Sequence, residues 1–244
     1  MLEKKIDIEE THIHLKTDIK ENNLEKHIIQ ERYEIKKYIQ KNPLFLTSLE
    51  PLKIPKNIET PPIIKNMLKS GIIAEVGPMA SVAGAISESG IEYLITEGSK
   101  YSIIENGGDI SLKTNKKTIC GIYAGNSSLS GTLGFQLPPQ KKPLGICTSS
   151  GTVGPSLSFG RADSVTVISK HASHADALAT SIANKVQDKN DEDAIQEGLD
   201  WADEFKEYYN SILIILNENA GTIGKLPQLV KTNKKETLSN LFEI

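Results

Sequence analysis

The sequence of 244 residues predicts an α+β fold in which most strands pair antiparallel with a neighbour. Strand-like segments occur in adjacent pairs joined by short turns, and helix-like segments stand singly between these pairs. No stretch is long and polar enough to separate two domains, so we expect one domain over residues 1–244. Within it, residues 1–62 form an N-terminal region, 63–230 the core and 231–244 a polar tail.

The N-terminal region predicts a strand, a helix and an irregular connection. Residues 12–18 alternate between apolar and polar side chains, which is typical of a half-buried strand. Residues 21–40 place apolar side chains at helical spacing until Pro43 ends the pattern. Residues 44–62 contain four prolines, so we expect them to cross the surface without regular structure.

The core predicts further helices and strands in order. A short helix is expected at 63–68, followed by a helix of small residues at 79–86 that lets another backbone or a ligand come close. The alternation then changes to short β-like runs around glycine turns. Strands are predicted at 91–96, 101–105, 110–113, 118–123, 144–148, 164–169 and 212–216, and helices at 173–186 and 191–209.

The composition excludes several classes of protein. Lys plus Arg number 28 and Asp plus Glu 31, a balance without the basic excess of a nucleic-acid-binding protein. The longest aliphatic run, 212–216, is far too short to cross a membrane. The charged N-terminus lacks the apolar stretch of a signal peptide, so we expect a cytoplasmic protein in which Cys120 and Cys147 are free thiols.

A glycine pair follows one predicted strand, in the sequence Glu-Asn-Gly-Gly-Asp-Ile. Gly107 and Gly108 free the backbone to turn its amides towards one point, and such amide clusters bind anions. The candidate ligand-binding residues of this segment are Gly107, Gly108 and Asp109. The same residues also match a hairpin turn, for which Asn-Gly is the strongest local signal. Both interpretations are open.

A second loop, 147–154, concentrates hydroxyl groups and glycines at the end of a buried strand. Its hydroxyls and amides can replace the water around a phosphate or pyrophosphate, although a polar surface loop has the same composition. It is no Walker loop, because the Gly-Lys-Ser/Thr sequence is absent. The candidate ligand-binding residues here are Ser149, Ser150, Gly151 and Thr152.

The helix that begins near Ser173 carries a candidate metal site. Asp176, Thr180 and Asn184 are spaced four apart and therefore share one face. A carboxylate and a hydroxyl one turn apart suit Mg²⁺, which prefers oxygen ligands. Alternatively, Ser173 and Asp176 form a capping box at the start of the helix.

Two residues are candidate catalytic groups. Cys147 begins the hydroxyl-rich loop and is a candidate nucleophile, although a buried inert cysteine is more common. His174 precedes Asp176 and is a candidate base, although a capping or surface role is common at such a position.

Several of these segments together resemble a known family. The motifs MLKSGIIAEVGPMASVAGAISE, IENGGDI, CTSSGTVG, SLSFGRADSVTVIS and HADALAT occur in this order. They resemble an uncharacterised family related to ApbE, the FAD:protein FMN transferases once linked to thiamine biosynthesis. The resemblance covers roughly residues 20–230, and the likeness to ApbE itself lies mainly in the Gly-Gly-Asp turn and the Ala-Asp-Ala-Leu-Ala-Thr motif.

The resemblance implies an ApbE-like fold of two similar halves with a Gly/Ser-lined flavin cleft between them. It implies that Asp176 and Thr180 ligate Mg²⁺ beside the pyrophosphate of FAD, and that FAD or FMN is the cofactor. One departure concerns residues 150–160, where the transferases carry a His-x-x-Asp-Pro-x-x-Gly element; this chain has neither the His nor the Asp-Pro.

Three functions follow from these observations. The first is binding of a flavin or another phosphorylated, pyrophosphate-containing small molecule with Mg²⁺, with flavin transfer as the reaction. The second, implied by the resemblance alone, is sulfide assimilation into homocysteine in anaerobic archaea. The third is a non-catalytic assembly module, for which the acidic helix 191–209 offers a surface to a protein partner.

Overall fold

The computed structural model describes residues 1–55, 59–150, 160–232 and 242–243. Within these ranges, eight strands form one sheet in the order β1-β2-β3-β4-β7-β8-β9-β10, and every neighbouring pair is antiparallel. The predicted α+β class with antiparallel pairing is therefore confirmed. The strands are β1 (Leu2–Ile8), β2 (Thr11–Thr17), β3 (Ser102–Asn106), β4 (Asp109–Lys113), β7 (Leu144–Ser149), β8 (Ser164–Ser169), β9 (Ser211–Leu216) and β10 (Asn219–Gly224).

A smaller sheet and a helical layer cover the two faces of the large sheet. The smaller sheet has the order β11-β6-β5-β12 in the part of the chain that the structure describes. Its strands are β5 (Thr118–Gly121), β6 (Leu133–Leu137), β11 (Gln228–Lys231) and β12 (Phe242–Glu243). The helices are α1 (Leu24–Lys41), α2 (Leu44–Thr47), α3 (Pro62–Ala74), α4 (Val82–Thr96), α5 (Ala172–Ala183) and α6 (Asp191–Asp203), with a 3₁₀ turn at Pro78–Ser81.

Alternation along the strands assigns their side chains to the two faces. On β3, Ile104 packs against the helices while Ile103 packs towards the smaller sheet. On β7, Cys147 packs against α5 while Ile146 faces the smaller sheet. Both faces of the large sheet are thus buried, which explains why these strands are nearly continuous apolar runs.

The large sheet divides into two groups of four strands at the junction of β4 and β7. The first group, β1 to β4, is covered by α1, α3 and α4, and the second, β7 to β10, is covered by α5 and α6. The helices α4 and α5 meet over this junction. The two halves implied by the family resemblance are visible in this arrangement.

The structure corrects two predicted elements and adds strands that the sequence did not predict. Residues 91–96 belong to α4 instead of a strand, because buried apolar residues surround this helix and leave no helical periodicity to detect. The segment 118–123 does not pair with 110–113, since β5 lies in the smaller sheet beside β6. Strand β1 was absent from the sequence prediction because its exposed edge is rich in Lys and Glu.

Helix lengths bear on membrane insertion. Among the described residues, no single helix has both the length and the apolarity needed to cross a bilayer. In the described part of the chain, one pair of helices, Pro62–Ala74 and Pro78–Thr96, has the required length and apolarity when taken together, but the pair is bent by 106°.

Candidate functional site

Helix α5 carries the predicted metal ligands and packs tightly on α4. Its first turn lies so close to α4 that a Cβ at Gly84 would be 2.4 Å from the carbonyl oxygen of Ala172. The small-residue helix predicted from the sequence thus does admit another backbone. At this contact the Asp176 carboxylate accepts a hydrogen bond of 2.8 Å from the Gly84 N–H.

A cavity of about 330 Å³ opens beside this contact. Asp176, Thr180 and Asn184 line it from α5, which confirms that the three residues share one face. Asp109, the first residue of β4, lines the same cavity. The structure therefore brings the Gly-Gly-Asp turn and the Asp176 helix, 67 residues apart in sequence, to one place between the two halves.

Three carboxylates line this cavity, of which Glu75 is exposed while Asp109 and Asp176 are buried without a compensating cation among the described lining residues. Burial raises the pKa of Asp109 well above its ordinary value, and the nearby charge of Asp176 raises it further. Burial also raises the pKa of Asp176 to about 7, against hydrogen bonds from the Gly84 and Ala83 amides that lower it. Among the described residues that line the cavity there is no lysine or arginine.

These donors fit a hard divalent cation. Two carboxylates and the Thr180 hydroxyl are oxygen ligands, and a cation would relieve the repulsion between the buried charges. In the described part of the chain, no group of three or more His, Cys, Asp or Glu side chains is placed to hold a metal. Mg²⁺ would therefore complete its coordination with water or with phosphate oxygens of a ligand.

The glycine pair forms a hairpin turn. Gly107 and Gly108 connect β3 to β4 with φ of +64° and +99°, the left-handed values of a two-residue hairpin loop. The Gly108 amide donates to the Glu105 carboxylate at 2.7 Å, so it is not free to bind an anion. The turn interpretation is thus confirmed, and three residues of this segment, Asn106, Gly107 and Asp109, line a cavity.

Asp109 is held in place by the neighbouring strand. Its Oδ1 accepts from the Thr148 N–H at 3.3 Å, and the Cys147 side chain lies beside the carboxylate. Thr148 faces the opposite side of the sheet, where its hydroxyl meets that of Thr166 at 2.9 Å. The strand that precedes the hydroxyl-rich loop therefore adjoins the carboxylate pair.

Only the start of that loop is described. The Ser149 hydroxyl is buried, and it has no hydrogen-bond partner among the described residues. It lies on the helix-facing side of β7, the same side as Cys147. Ser150, unlike Ser149, does have an interaction partner. Gly151 and Thr152 lie outside the described residues.

A larger apolar chamber adjoins the carboxylate cavity. Its volume is about 740 Å³, within the range of small-molecule binding sites. It has five lining residues in common with the smaller cavity, so the two spaces lie side by side; they are Leu46, Met79, Val82, Ala83 and Asp109. Its apolar wall comprises Ile35, Ile39, Leu46, Met79, Val82 and Ile86.

This chamber was not foreseen from the sequence. Part of its wall comes from α1, which the apolar spacing identified as an amphipathic helix without indicating a ligand. The segment 44–49, expected to be irregular, contains α2 and contributes Leu46. The signal available in the sequence was the cluster of large apolar residues Leu44, Leu46 and Leu49, which the structure leaves exposed.

The candidate catalytic residues lie away from the cavity or are buried. Cys147 is fully buried, and burial with the adjacent Asp109 charge raises the pKa of its thiol well above the ordinary value. The thiol donates to the Ala172 carbonyl at 3.2 Å, as a structural cysteine does. His174 contacts His171 and Tyr208, and burial lowers its pKa to about 4.

The predicted capping box at the start of α5 is wrong. His171, not Ser173, occupies the N-cap position and makes no side-chain cap. Ser173 lies inside the helix, and its amide and hydroxyl both donate to Glu88 of α4. Asp176 bonds to α4 instead of its own helix because the two helices are close enough for a carboxylate to reach across.

Solved structures of known proteins share this fold. The flavin transferase ApbE from Vibrio cholerae matches with a TM-score of 0.55 at 14% identity, covering 96% of this chain and 97% of that one. The ApbE protein from Thermotoga maritima matches with a TM-score of 0.53 at 12% identity, covering 96% and 98%. At such low identity these matches establish an ApbE-like fold.

Sequence relatives are much closer. A protein named UPF0280 from Methanothermobacter thermautotrophicus is 49% identical over 98% of this chain and 92% of its own length. Its namesake from Methanobrevibacter smithii is 51% identical over 94% of this chain and 96% of its own length. The family model described as "AbpE bacteria" matches residues 3–201. The chain therefore belongs to this ApbE-related family of UPF0280 proteins.

Proposed function

We propose that this protein binds a flavin nucleotide such as FAD through its pyrophosphate, together with Mg²⁺, in the cleft between its two halves. The observation that carries the proposal is that two unlike spaces lie side by side. One is a cavity lined by two buried carboxylates and by no lysine or arginine among the described residues, and the other is a largely apolar chamber of about 740 Å³. A ligand with a charged pyrophosphate and a flat apolar ring system matches both.

Asp109, Asp176 and Thr180 are the residues that would hold the metal ion. Their charges would repel a pyrophosphate, and a divalent cation reverses the sign of this interaction. The buried Ser149 hydroxyl has no partner in the described part of the chain, but it lines neither the cavity nor the chamber, so the assignment depends on the three residues above. The chamber behind Leu46 would exclude water from the ring system.

Flavin transfer is the reaction that the ApbE-like fold favours. In it, the phosphoanhydride bond of FAD would break, the FMN phosphoryl group would form a bond to a hydroxyl of an acceptor, and Mg²⁺ would supply Lewis-acid stabilisation of the leaving AMP. The chain's own residues would orient the pyrophosphate against Asp176 and Thr180 and keep the ring in the apolar chamber. The Vibrio cholerae protein that shares the fold is named a flavin transferase, which supports a flavin as the ligand proposed for this chain.

The test is titration of the purified protein with FAD in Mg²⁺ and in chelator. The single tryptophan, Trp201, lines a groove that shares Asn184 with the carboxylate cavity, so its fluorescence reports flavin by energy transfer. We expect quenching that requires Mg²⁺ and is lost in Asp176→Asn. The matched control is Asp193→Asn, on the exposed face of α6.

The same titration separates the proposed activities. Release of AMP on addition of FAD and Mg²⁺ supports transfer chemistry. Binding without AMP release supports a flavin carrier. No flavin binding in either condition contradicts the proposal and favours a non-catalytic assembly module.

A further inference from the structure

A second polar cluster joins α4 to α5 one helical turn from Gly84; its members Glu88 and Ser173 are buried, and His171 is exposed. The buried carboxylate of Glu88 accepts a hydrogen bond of 2.6 Å from His171 Nδ1 at its Oε1. Its Oε2 accepts from the Ser173 N–H at 2.9 Å and from the Ser173 hydroxyl at 2.7 Å. All three donors belong to the beginning of α5.

The two helices cap each other. Neither Ser81 before α4 nor His171 before α5 caps its own helix with its side chain. Instead, Asp176 of α5 accepts from an amide in the first turn of α4, and Glu88 of α4 accepts from an amide in the first turn of α5. Amides of the first turn lack intrahelical partners, so each carboxylate satisfies a donor that its partner helix leaves open.

We propose that Glu88 is a positioning residue for the cation site: it fixes the first turn of α5 against α4 and thereby sets where Asp176 and Thr180 enter the cavity. Ser173 and Asp176 are three residues apart in one helix, so a shift of the first turn moves the Asp176 carboxylate with it. The identity of the bound ion and ligand rests on the proposed function, whereas the positioning contact does not.

The charge of Glu88 is what allows it to accept three bonds. Burial by itself would raise the pKa of Glu88, but the hydrogen bonds from His171 and Ser173 outweigh it and hold the pKa below its ordinary value. The same contact raises the pKa of His171. A glutamine in this place has a single acceptor oxygen and would leave donors of α5 unpaired.

The first test needs no ligand. In Glu88→Gln, we expect the Gly84 amide to exchange its hydrogen about tenfold faster, because its acceptor Asp176 is no longer held in place. The Leu213 amide of β9 reports global unfolding and should change less. Glu92→Gln is the matched control: it lies one turn further along α4, is exposed, and should leave Gly84 protected.

The second test concerns the ion. With FAD present, we expect Glu88→Gln to need about tenfold more Mg²⁺ for half-maximal quenching of Trp201, with the FAD affinity at saturating Mg²⁺ unchanged. Ser173→Ala removes one of the three bonds without a buried charge change, and should show a smaller shift in the same direction. It keeps the test available if Glu88→Gln does not fold.

The outcomes are distinguishable. If wild-type protein shows no response to Mg²⁺, the proposed function fails, and the exchange of the Gly84 amide still decides the role of Glu88. Unchanged Gly84 exchange in both variants overturns the positioning role. Equal acceleration at Gly84 and Leu213 also overturns it, since that result describes a loss of global stability alone.

Discussion

The Asp176 carboxylate bonds at 2.8 Å to the backbone N–H of Gly84, which lies 92 residues earlier in the chain. The contact exists because Gly84 has no side chain. A Cβ there would lie 2.4 Å from the Ala172 carbonyl oxygen and 2.7 Å from the Asp176 Cβ. The cation site and the packing of α4 on α5 therefore depend on the same glycine.

Replacing Gly84 by alanine should push the helices apart. Overpacking of a tight contact costs about 1–3 kcal/mol, and we expect the free energy of unfolding in urea to fall by at least that amount. The control is Gly98→Ala, where φ is +92° and nothing lies within 4 Å of an added Cβ. That variant should lose about 1 kcal/mol from backbone strain and keep its response to Mg²⁺. A Gly84→Ala protein as stable as Gly98→Ala would contradict the prediction.

Replacing Asp109 by asparagine should have opposite effects with and without metal. In chelator, the variant should be more stable than wild type, because it removes one of two buried, mutually repelling carboxylates. A gain of about 1 kcal/mol corresponds to a Tm rise of about 2–4 °C for a chain of this size. With excess Mg²⁺ the order should reverse, since the ion loses a ligand. Thermal unfolding in the two buffers measures both, and a stabilisation that persists in Mg²⁺ would argue against Asp109 as a ligand.

The His171–Glu88 pair should make stability depend on pH. The folded pKa of His171 is raised above 6.5, so its contribution is complete below that pH and is lost as the pH rises through the folded value. The folded pKa of Glu88 lies below 4.5, so its contribution is lost as the pH falls through that value. The destabilisation caused by His171→Ala should therefore be largest between pH 4.5 and 6.5 and shrink at alkaline pH. Urea unfolding of both proteins across pH measures this; a loss that does not vary with pH would refute it.

The two cysteines should be unreactive in the folded protein. Both are buried and free, and burial raises the pKa of Cys120 to about 12. We expect a thiol reagent such as DTNB to modify neither until denaturant is added. Cys147→Ala should retain flavin binding, because the thiol contributes only packing and a hydrogen bond to the Ala172 carbonyl. One fast-reacting thiol under native conditions would revive Cys147 as a nucleophile.

The sequence predicted the parts of the site that depend on local spacing. Asp176, Thr180 and Asn184 line one cavity because residues four apart in a helix share a face, whatever the tertiary structure. The turn at Gly107 and Gly108 was predictable because two successive positive φ values nearly require glycine.

Features that depend on packing between distant elements were not predictable in this way. Ser173 and Asp176 match a capping box locally, but Glu88 and Gly84 of another helix compete for their hydrogen bonds and prevail. The helical conformation of 91–96 was hidden because α4 is buried over most of its surface, and within this segment only Glu92 and Thr96 are exposed. The apolar chamber combines α1 with a segment near Met79, which no local pattern relates.

The junction of the two half-sheets is their narrowest connection. Only three residue pairs join β4 to β7 in the described structure, from Ile110↔Ile146 to Leu112↔Leu144, whereas β3 and β4 share five. Asp109 belongs to one half and Asp176 to the other. An ion held by both would act as a cross-link across this junction, so its binding should oppose separation of the two halves.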